Sequence, residues 1–230
     1  MTMIEYLFLD LDDTILDFHR AERIAIARTF RMFGLEPSEA VLSRYHIINK
    51  QHWERLERKE LTREQVLTGR FEALFRELGR TVDAAAVARC YEQNLAIGHY
   101  FLPGALEAVK SLSRQYPLYL ASNGTASVQH SRLTSAGLYP FFREVFISQE
   151  MGCDKPSKGF FDRCFARIPG FDPEKAMMVG DSLTSDILGG IGAGMKTCWV
   201  NPEGRPPRPD IRPDYQIASI SELEALLRTL

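Results

Sequence analysis

A chain of 230 residues with 28 Lys and Arg against 30 Asp and Glu carries a formal charge of −2, and 45% of it is hydrophobic. That is enough apolar material for a packed core, which excludes a disordered chain, a collagen-like repeat and a disulfide scaffold. The charge is too evenly spread for a nucleic acid polymer to be the partner, and no apolar run approaches the ~18 residues of a membrane span.

The four cysteines (Cys90, Cys153, Cys164, Cys198) lie far apart, without a Cys-x-x-Cys pair or short His spacing, and read as reduced, mostly buried thiols. The start, Met1-Thr-Met-Ile-Glu-Tyr6, has no basic stretch of the signal-peptide kind, so a cytoplasmic location is expected.

Ile4 to Leu9 is apolar apart from Glu5 and runs straight into Asp10, the texture of a strand buried on both faces of a parallel sheet. From about Asp17 to Gly98 apolar residues recur at three and four spacings (Ile24, Ala27, Phe30, Phe33; Val66, Phe71, Leu74, Phe75, Leu78), which predicts an all-helical block. Its breaks fall at Gly34–Ser38, Glu60–Thr62 and Leu78–Asp83, with Ser38, Thr62 and Asp83 as N-caps. After Leu102-Pro-Gly104, helices and strands alternate: helix 105–114, strand 117–122, helix 126–136, strand 143–148, helix 157–167, strand 175–180, helix 184–192, strands 196–200 and 214–218, helix 221–228. This pattern predicts a doubly wound parallel α/β sheet. The first strand shares its texture, so residues 1–16 and 99–230 are expected as an α/β core and 17–98 as an inserted helical domain.

Three polar runs fall at the C-terminal ends of the strands expected at the centre, where open α/β sheets bind ligands: Asp10-Leu-Asp-Asp-Thr14, Ser122-Asn-Gly124 and Gly180-Asp-Ser-Leu-Thr-Ser-Asp186. Two carboxylates in an Asp-x-Asp pair repel one another, and a hard divalent cation with oxygen preference resolves that repulsion. Alone, each run would be an ordinary turn or cap; their convergence at neighbouring strand ends argues for a site. Gly189 to Gly194 superficially resembles a dinucleotide fingerprint, but these glycines close a helix and lead into a strand, so they read as a close-packed turn.

With those runs in place, the chain resembles the haloacid dehalogenase superfamily in its phosphatase division. The family pattern Asp-x-Asp-x-Thr matches Asp10, Asp12 and Thr14; the strand-end Ser/Thr motif matches Ser122-Asn-Gly; the motif lysine matches Lys155; and the acidic motif matches Gly180-Asp181 to Asp186. The resemblance implies a Rossmann-like core, a helical cap over residues 17–98, and catalysis by Asp10, Asp12, Ser122 and Lys155. Asp10 would be the nucleophile that forms an aspartyl-phosphate, and Asp12 the acid and base. Mg²⁺ would be held by the Asp10 carboxylate, the Asp12 backbone carbonyl and Asp181, with Asp186 behind these ligands or bound to the metal through water. Ser122, Asn123 and Lys155 would take phosphoryl oxygens, with Thr14 and Gly124 also at the substrate.

The doubled acid, Asp10 with Asp12, argues against a dehalogenase, which has no leaving alcohol to protonate. The wording of the first and last motifs is similar to the pyrimidine 5′-nucleotidase-like branch; a phosphoglycolate or sugar-phosphate phosphatase, a mutase and a non-catalytic binding protein are the alternatives. The expected partner is a small phosphorylated metabolite, with no nucleic acid polymer and no membrane, bound by a monomer or homodimer. Within the helical block, Phe18-His19-Arg20 and Asn49 to Trp53 are the clusters best placed to meet substrate, with Trp53 read first as core. His46 and His99 read as ordinary helix residues, and the Pro- and Arg-rich stretch Pro202 to Pro213 as a solvated loop.

Overall fold

The computed structural model describes residues 3–206 and 208–230. Met1 and Thr2, read above for a leader, and Pro207 of the Pro- and Arg-rich loop lie outside them. The chain forms two compact units, Met1–Phe18 with His99–Leu230, and His19–Gly98.

The first unit is built on a six-stranded parallel sheet of order β3-β2-β1-β4-β5-β6, with β1 at Tyr6–Leu9, β2 at Leu118–Ser122, β3 at Glu144–Ile147, β4 at Ala176–Gly180, β5 at Lys196–Val200 and β6 at Tyr215–Ile217. The chain therefore enters near the middle of the sheet, and β1 is flanked by β2 and β4, with Leu9 in register with Leu120 on one side and Val179 on the other. Full coverage on both faces explains the continuous apolar texture of these strands, since β2 and β4 have no exposed residue. One face packs Leu7, Leu9, Leu120, Met177 and Val179 into one core, and the other packs Phe8, Tyr119, Phe146, Phe160, Phe161 and Met178 into a second.

Helices cover the sheet: α5 (Ala105–Ser113), α6 (Ala126–Ser135), α7 (Ser148–Met151), α8 (Lys158–Phe165), α9 (Leu188–Gly192) and α10 (Leu223–Leu227), numbered after α1 to α4 of the second unit. Helix α9 is shorter than the pattern predicts because its first turn, Leu183–Ile187, is a π-turn capped by the Ser182 side chain. The short helix α7 has no counterpart in the sequence reading. Gly189 and Gly190 are buried in α9 just before β5, at the end of a helix and ahead of a strand, as their sequence setting indicates. Along the Pro- and Arg-rich loop, residues 203–206 and 208–210 are exposed. All four cysteines are free thiols, and three of them (Cys90, Cys164, Cys198) are buried.

The second unit is helical: α1 (Phe18–Met32, whose first residue belongs to the other unit), α2 (Glu39–Glu57), α3 (Arg63–Glu77) and α4 (Ala84–Leu95). Ser38, Thr62 and Asp83 each accept a backbone N–H at the start of the helix that follows, and Thr62 with Gln65 completes a reciprocal capping box. Phe30, Tyr45, Phe71, Phe75 and Tyr91 form the aromatic centre of this unit. No helix among the described residues is long and apolar enough to cross a membrane.

Candidate active site

The strand order puts the ends of β2, β1 and β4 side by side, and each contributes one polar run. Asp10 follows the last residue of β1 and donates its backbone N–H to Val179 O at 2.9 Å, so the nucleophile candidate is anchored to β4 by main chain. The next residues fold tightly back: Ile15 and Leu16 both donate to Leu11 O, Asp13 donates to Leu16 O, and Asp13 takes the left-handed φ of 55°. Its carboxylate accepts the Phe18 amide at 2.9 Å, capping the start of α1. Thr14 is wholly buried in this loop, with a hydroxyl that makes no hydrogen bond, so the side chain expected at the substrate has no exposed surface to offer it.

Lys155 is the centre of charge. Its Nζ lies 2.6 Å from Asp10 Oδ1, 2.7 Å from Asp186 Oδ1 and 2.5 Å from Ala121 O, and its side chain is 1% exposed. Asn123 aims it: the Asn123 amide donates to Lys155 O and accepts Lys155 N–H, both at 2.9 Å. The side chain expected to meet a phosphoryl oxygen is thus committed to the lysine loop. Asp186 is fixed in turn by accepting the Ser182 backbone N–H at 3.1 Å. It packs so closely over Gly180 that a Cβ there would overlap its carboxyl group, which is why β4 ends in glycine.

Asp10, Asp181 and Asp186 each bring a carboxylate oxygen within 4.8 Å of the other two. Burial pushes the Asp10 carboxyl up to about 8, with Asp186 and Asp12 adding to the rise and Lys155 opposing it. Asp181 is raised for the same reason, by burial first and then by Asp186 and Asp10. Burial disfavours the Lys155 charge, but Asp10 and Asp186 outweigh it and hold the ammonium protonated. Three acids converge here, two of them paired with Lys155, and all offer oxygen. This is a set that a hard divalent cation fits and that its charge would relax.

Asp12 is turned away from that cluster. Its Oδ1 accepts from Arg132 Nη1 at 2.5 Å and its Oδ2 from Gln129 Nε2 at 2.7 Å. Ser122 Oγ accepts from Gln129 Nε2 at 2.8 Å and from Gly124 N at 3.2 Å. Gln129 and Arg132 stand in none of the polar runs that mark the site in the sequence. Both lie on the buried face of α6, and only their spacing of three marks them as neighbours.

In the helical unit His46 is not an ordinary helix residue. Its Nδ1 lies 2.6 Å from Glu22 Oε2, Glu22 Oε1 accepts from Asn49 Nδ2 at 2.6 Å, and Arg70 donates to Asn49 Oδ1 at 2.7 Å. His19 packs edge-on against His46 with ring centroids 4.7 Å apart. His19 and Asn49 therefore share one polar network around the buried Glu22, whereas Arg20 is exposed. Trp53 lies under the Arg63 guanidinium, and His99 is in the connection after α4 rather than in a helix.

Residues 4–194 match the haloacid dehalogenase-like hydrolases. The chain belongs to that family. It is 39% identical to the HAD-hydrolase YfnB of Bacillus subtilis, over 96% of this chain and 94% of that one. It is 37% identical to the pyrimidine 5′-nucleotidase PynA of Streptococcus pneumoniae (95% and 93%) and 30% identical to the pyrimidine 5′-nucleotidase YjjG of Escherichia coli (97% of each). These relatives place it close to the pyrimidine nucleotidase-like branch. A crystal structure of YfnB bound to magnesium superimposes with a TM-score of 0.94, covering 98% of this chain and 99% of that one. The L-2-haloacid dehalogenase of Xanthobacter autotrophicus shares the fold, at a TM-score of 0.77 and 18% identity over 99% of this chain and 100% of that one.

Proposed function

We infer that this family hydrolase is a Mg²⁺-dependent phosphomonoesterase that works through an aspartyl-phosphate on Asp10, with pyrimidine nucleoside 5′-monophosphates as its preferred substrates. The observation that carries the reading is the division of labour between two carboxylates of one loop. Asp10 is buried against Lys155 among other acids, whereas Asp12 is held by a separate pair of donors. Environments that differ this much suit one carboxylate to nucleophilic attack and the other to proton transfer.

In the first half-reaction an Asp10 oxygen bonds to phosphorus as the bond to the ester oxygen breaks, and Asp12 gives its proton to the departing alkoxide. In the second, Asp12 takes a proton from water, the resulting hydroxide attacks phosphorus, and the bond to Asp10 breaks. This releases phosphate and restores both carboxyl groups. Lys155 and the Ser122 hydroxyl balance charge on the phosphoryl oxygens. Asp10, Asp181, Asp186 and the Asp12 main-chain carbonyl would hold the cation, whose charge screens the acids from the incoming phosphate. The helical unit serves as the family's cap, where selectivity for the leaving group resides.

The resemblance to two nucleotidases supports the substrate class, and phosphate release from UMP, dTMP, AMP, phosphoglycolate and glucose 6-phosphate tests it. UMP or dTMP should lead in kcat/KM. EDTA should silence every activity and Mg²⁺ restore it; full turnover in EDTA by protein shown to be metal-free would refute the metal assignment.

A further inference from the structure

We propose that Gln129 and Arg132 of α6 are positioning residues that hold Asp12 in place for proton transfer and couple it to the phosphate-binding serine. The proposal deepens the reading above and rests on it.

Each carboxylate oxygen of Asp12 has its own donor: Arg132 Nη1 at 2.5 Å on Oδ1 and Gln129 Nε2 at 2.7 Å on Oδ2. Gripping both oxygens fixes the rotation of the group, which a single hydrogen bond cannot do. The two donors are themselves locked together, because Gln129 Oε1 accepts from the same Arg132 Nη1 at 2.9 Å. Gln129 Nε2 also reaches Ser122 Oγ at 2.8 Å, so one amide spans the acid/base candidate and a phosphoryl-oxygen ligand candidate. A Cβ on Gly124 would collide with the Gln129 amide; the glycine of the Ser-Asn-Gly run is what lets that amide sit there.

Burial gives the arrangement its meaning. Arg132 is 0% and Gln129 1% exposed, whereas the Asp12 side chain keeps 27% of its surface open. A guanidinium taken out of water is costly unless it is paired, and an apolar side chain would fill the same space without that cost. Its ion pair is with Asp12. The Phe18 ring packs 6.0 Å from its Cζ and screens it further. Each oxygen has a second lone-pair direction, so the group can be held from behind while its open side exchanges a proton, first with the leaving oxygen and then with water. Holding a proton-transfer group ready in this way removes orientational freedom from the barrier.

The test uses leaving groups that differ in their need for a proton. p-Nitrophenolate departs without one, whereas phenolate and the ribose alkoxide of UMP depend on it. Gln129→Met keeps side-chain length without the donors, and Arg132→Lys keeps the charge without the fork. In both variants kcat/KM on phenyl phosphate should fall about tenfold or more beyond the fall on p-nitrophenyl phosphate, the signature that Asp12→Asn should also give. In the Asp12→Asn background, Gln129→Met should cost no more than about threefold further, since coupled residues are non-additive. Equal losses on the two esters, or fully additive losses in the double variant, would overturn the proposal. Wild-type protein that hydrolyses neither ester, or Asp10→Asn protein that still turns them over, would overturn the reading beneath it instead.

Discussion

Asp10 sits where a carboxylate is least comfortable, buried at the end of a central strand beside Asp186 and Asp181, with Lys155 as compensation. Asp10→Asn removes the proposed nucleophile while hardly changing volume and lessens the crowding of like charge. Turnover should drop to below about a thousandth of wild type with the circular dichroism spectrum unchanged. The same crowding makes a pH prediction. The Asp10 carboxyl is raised from 3.8 to about 8, by burial first. A raised group contributes stability that is present below its unfolded value and lost as pH rises through the folded one. Metal-free protein should therefore lose stability to unfolding between about pH 4 and about pH 8. Mg²⁺ should restore the upper end of that range, and Asp10→Asn should flatten the profile. Urea titrations in EDTA at several pH values measure all three.

At the scale of elements, the sequence was most legible where structure is decided locally. Ser38, Thr62 and Asp83 cap helices because a short polar side chain can reach a backbone N–H a few residues on, and that spacing is visible in one dimension. The continuous apolar run before Asp10 likewise marks a strand covered on both faces. What could not be read are partnerships made by the topology: Gln129 and Arg132 meet Asp12 across 117 and 120 residues, and His46 meets Glu22 across 24. The π-turn before α9 was hidden too, because its cap, Ser182, looks like that of any helix.

The edge of the sheet depends on another such partnership. Asp214, just ahead of β6, accepts Thr197 N–H and Oγ1–H at 2.9 Å and Lys196 Nζ at 3.0 Å, clasping β6 to β5. Burial works against the Asp214 carboxylate, but the bonds from Lys196 and Thr197 outweigh it and hold its pKa below the usual value. The stability it contributes is present above the unfolded value and lost as pH falls through the lower folded one. Asp214→Asn should cost about 1 kcal/mol near neutrality after solvent screening is allowed for, and nothing once both states are protonated. Chemical denaturation of the two proteins at pH 7 and in strong acid would show whether the difference closes.

For the whole molecule, the chain divides into an α/β unit and a helical unit, and we propose that the first carries the chemistry and the second the choice of substrate. The α/β unit holds every side chain of the proposed phosphoryl transfer, and those groups recognise only phosphate, a cation and a proton. Such a set treats most monoesters alike, so discrimination among leaving groups must come from elsewhere in the chain. The region around Phe18, His19 and Arg20 is the proposed source. Replacing His19 or Arg20 by Ala should reorder kcat/KM among UMP, dTMP, AMP and sugar phosphates. It should change p-nitrophenyl phosphate hydrolysis less, since so small an ester offers few atoms for selection. His19 packs on the His46 and Glu22 network, so His46→Ala is expected to shift the ranking in the same direction through the position of His19. If phosphoglycolate or a hexose phosphate outranks both pyrimidine nucleotides in the wild-type protein, the substrate proposal fails while the assignment of Asp10 and Asp12 stands. If the variants slow every ester equally, these residues support the fold of the helical unit and selectivity lies elsewhere.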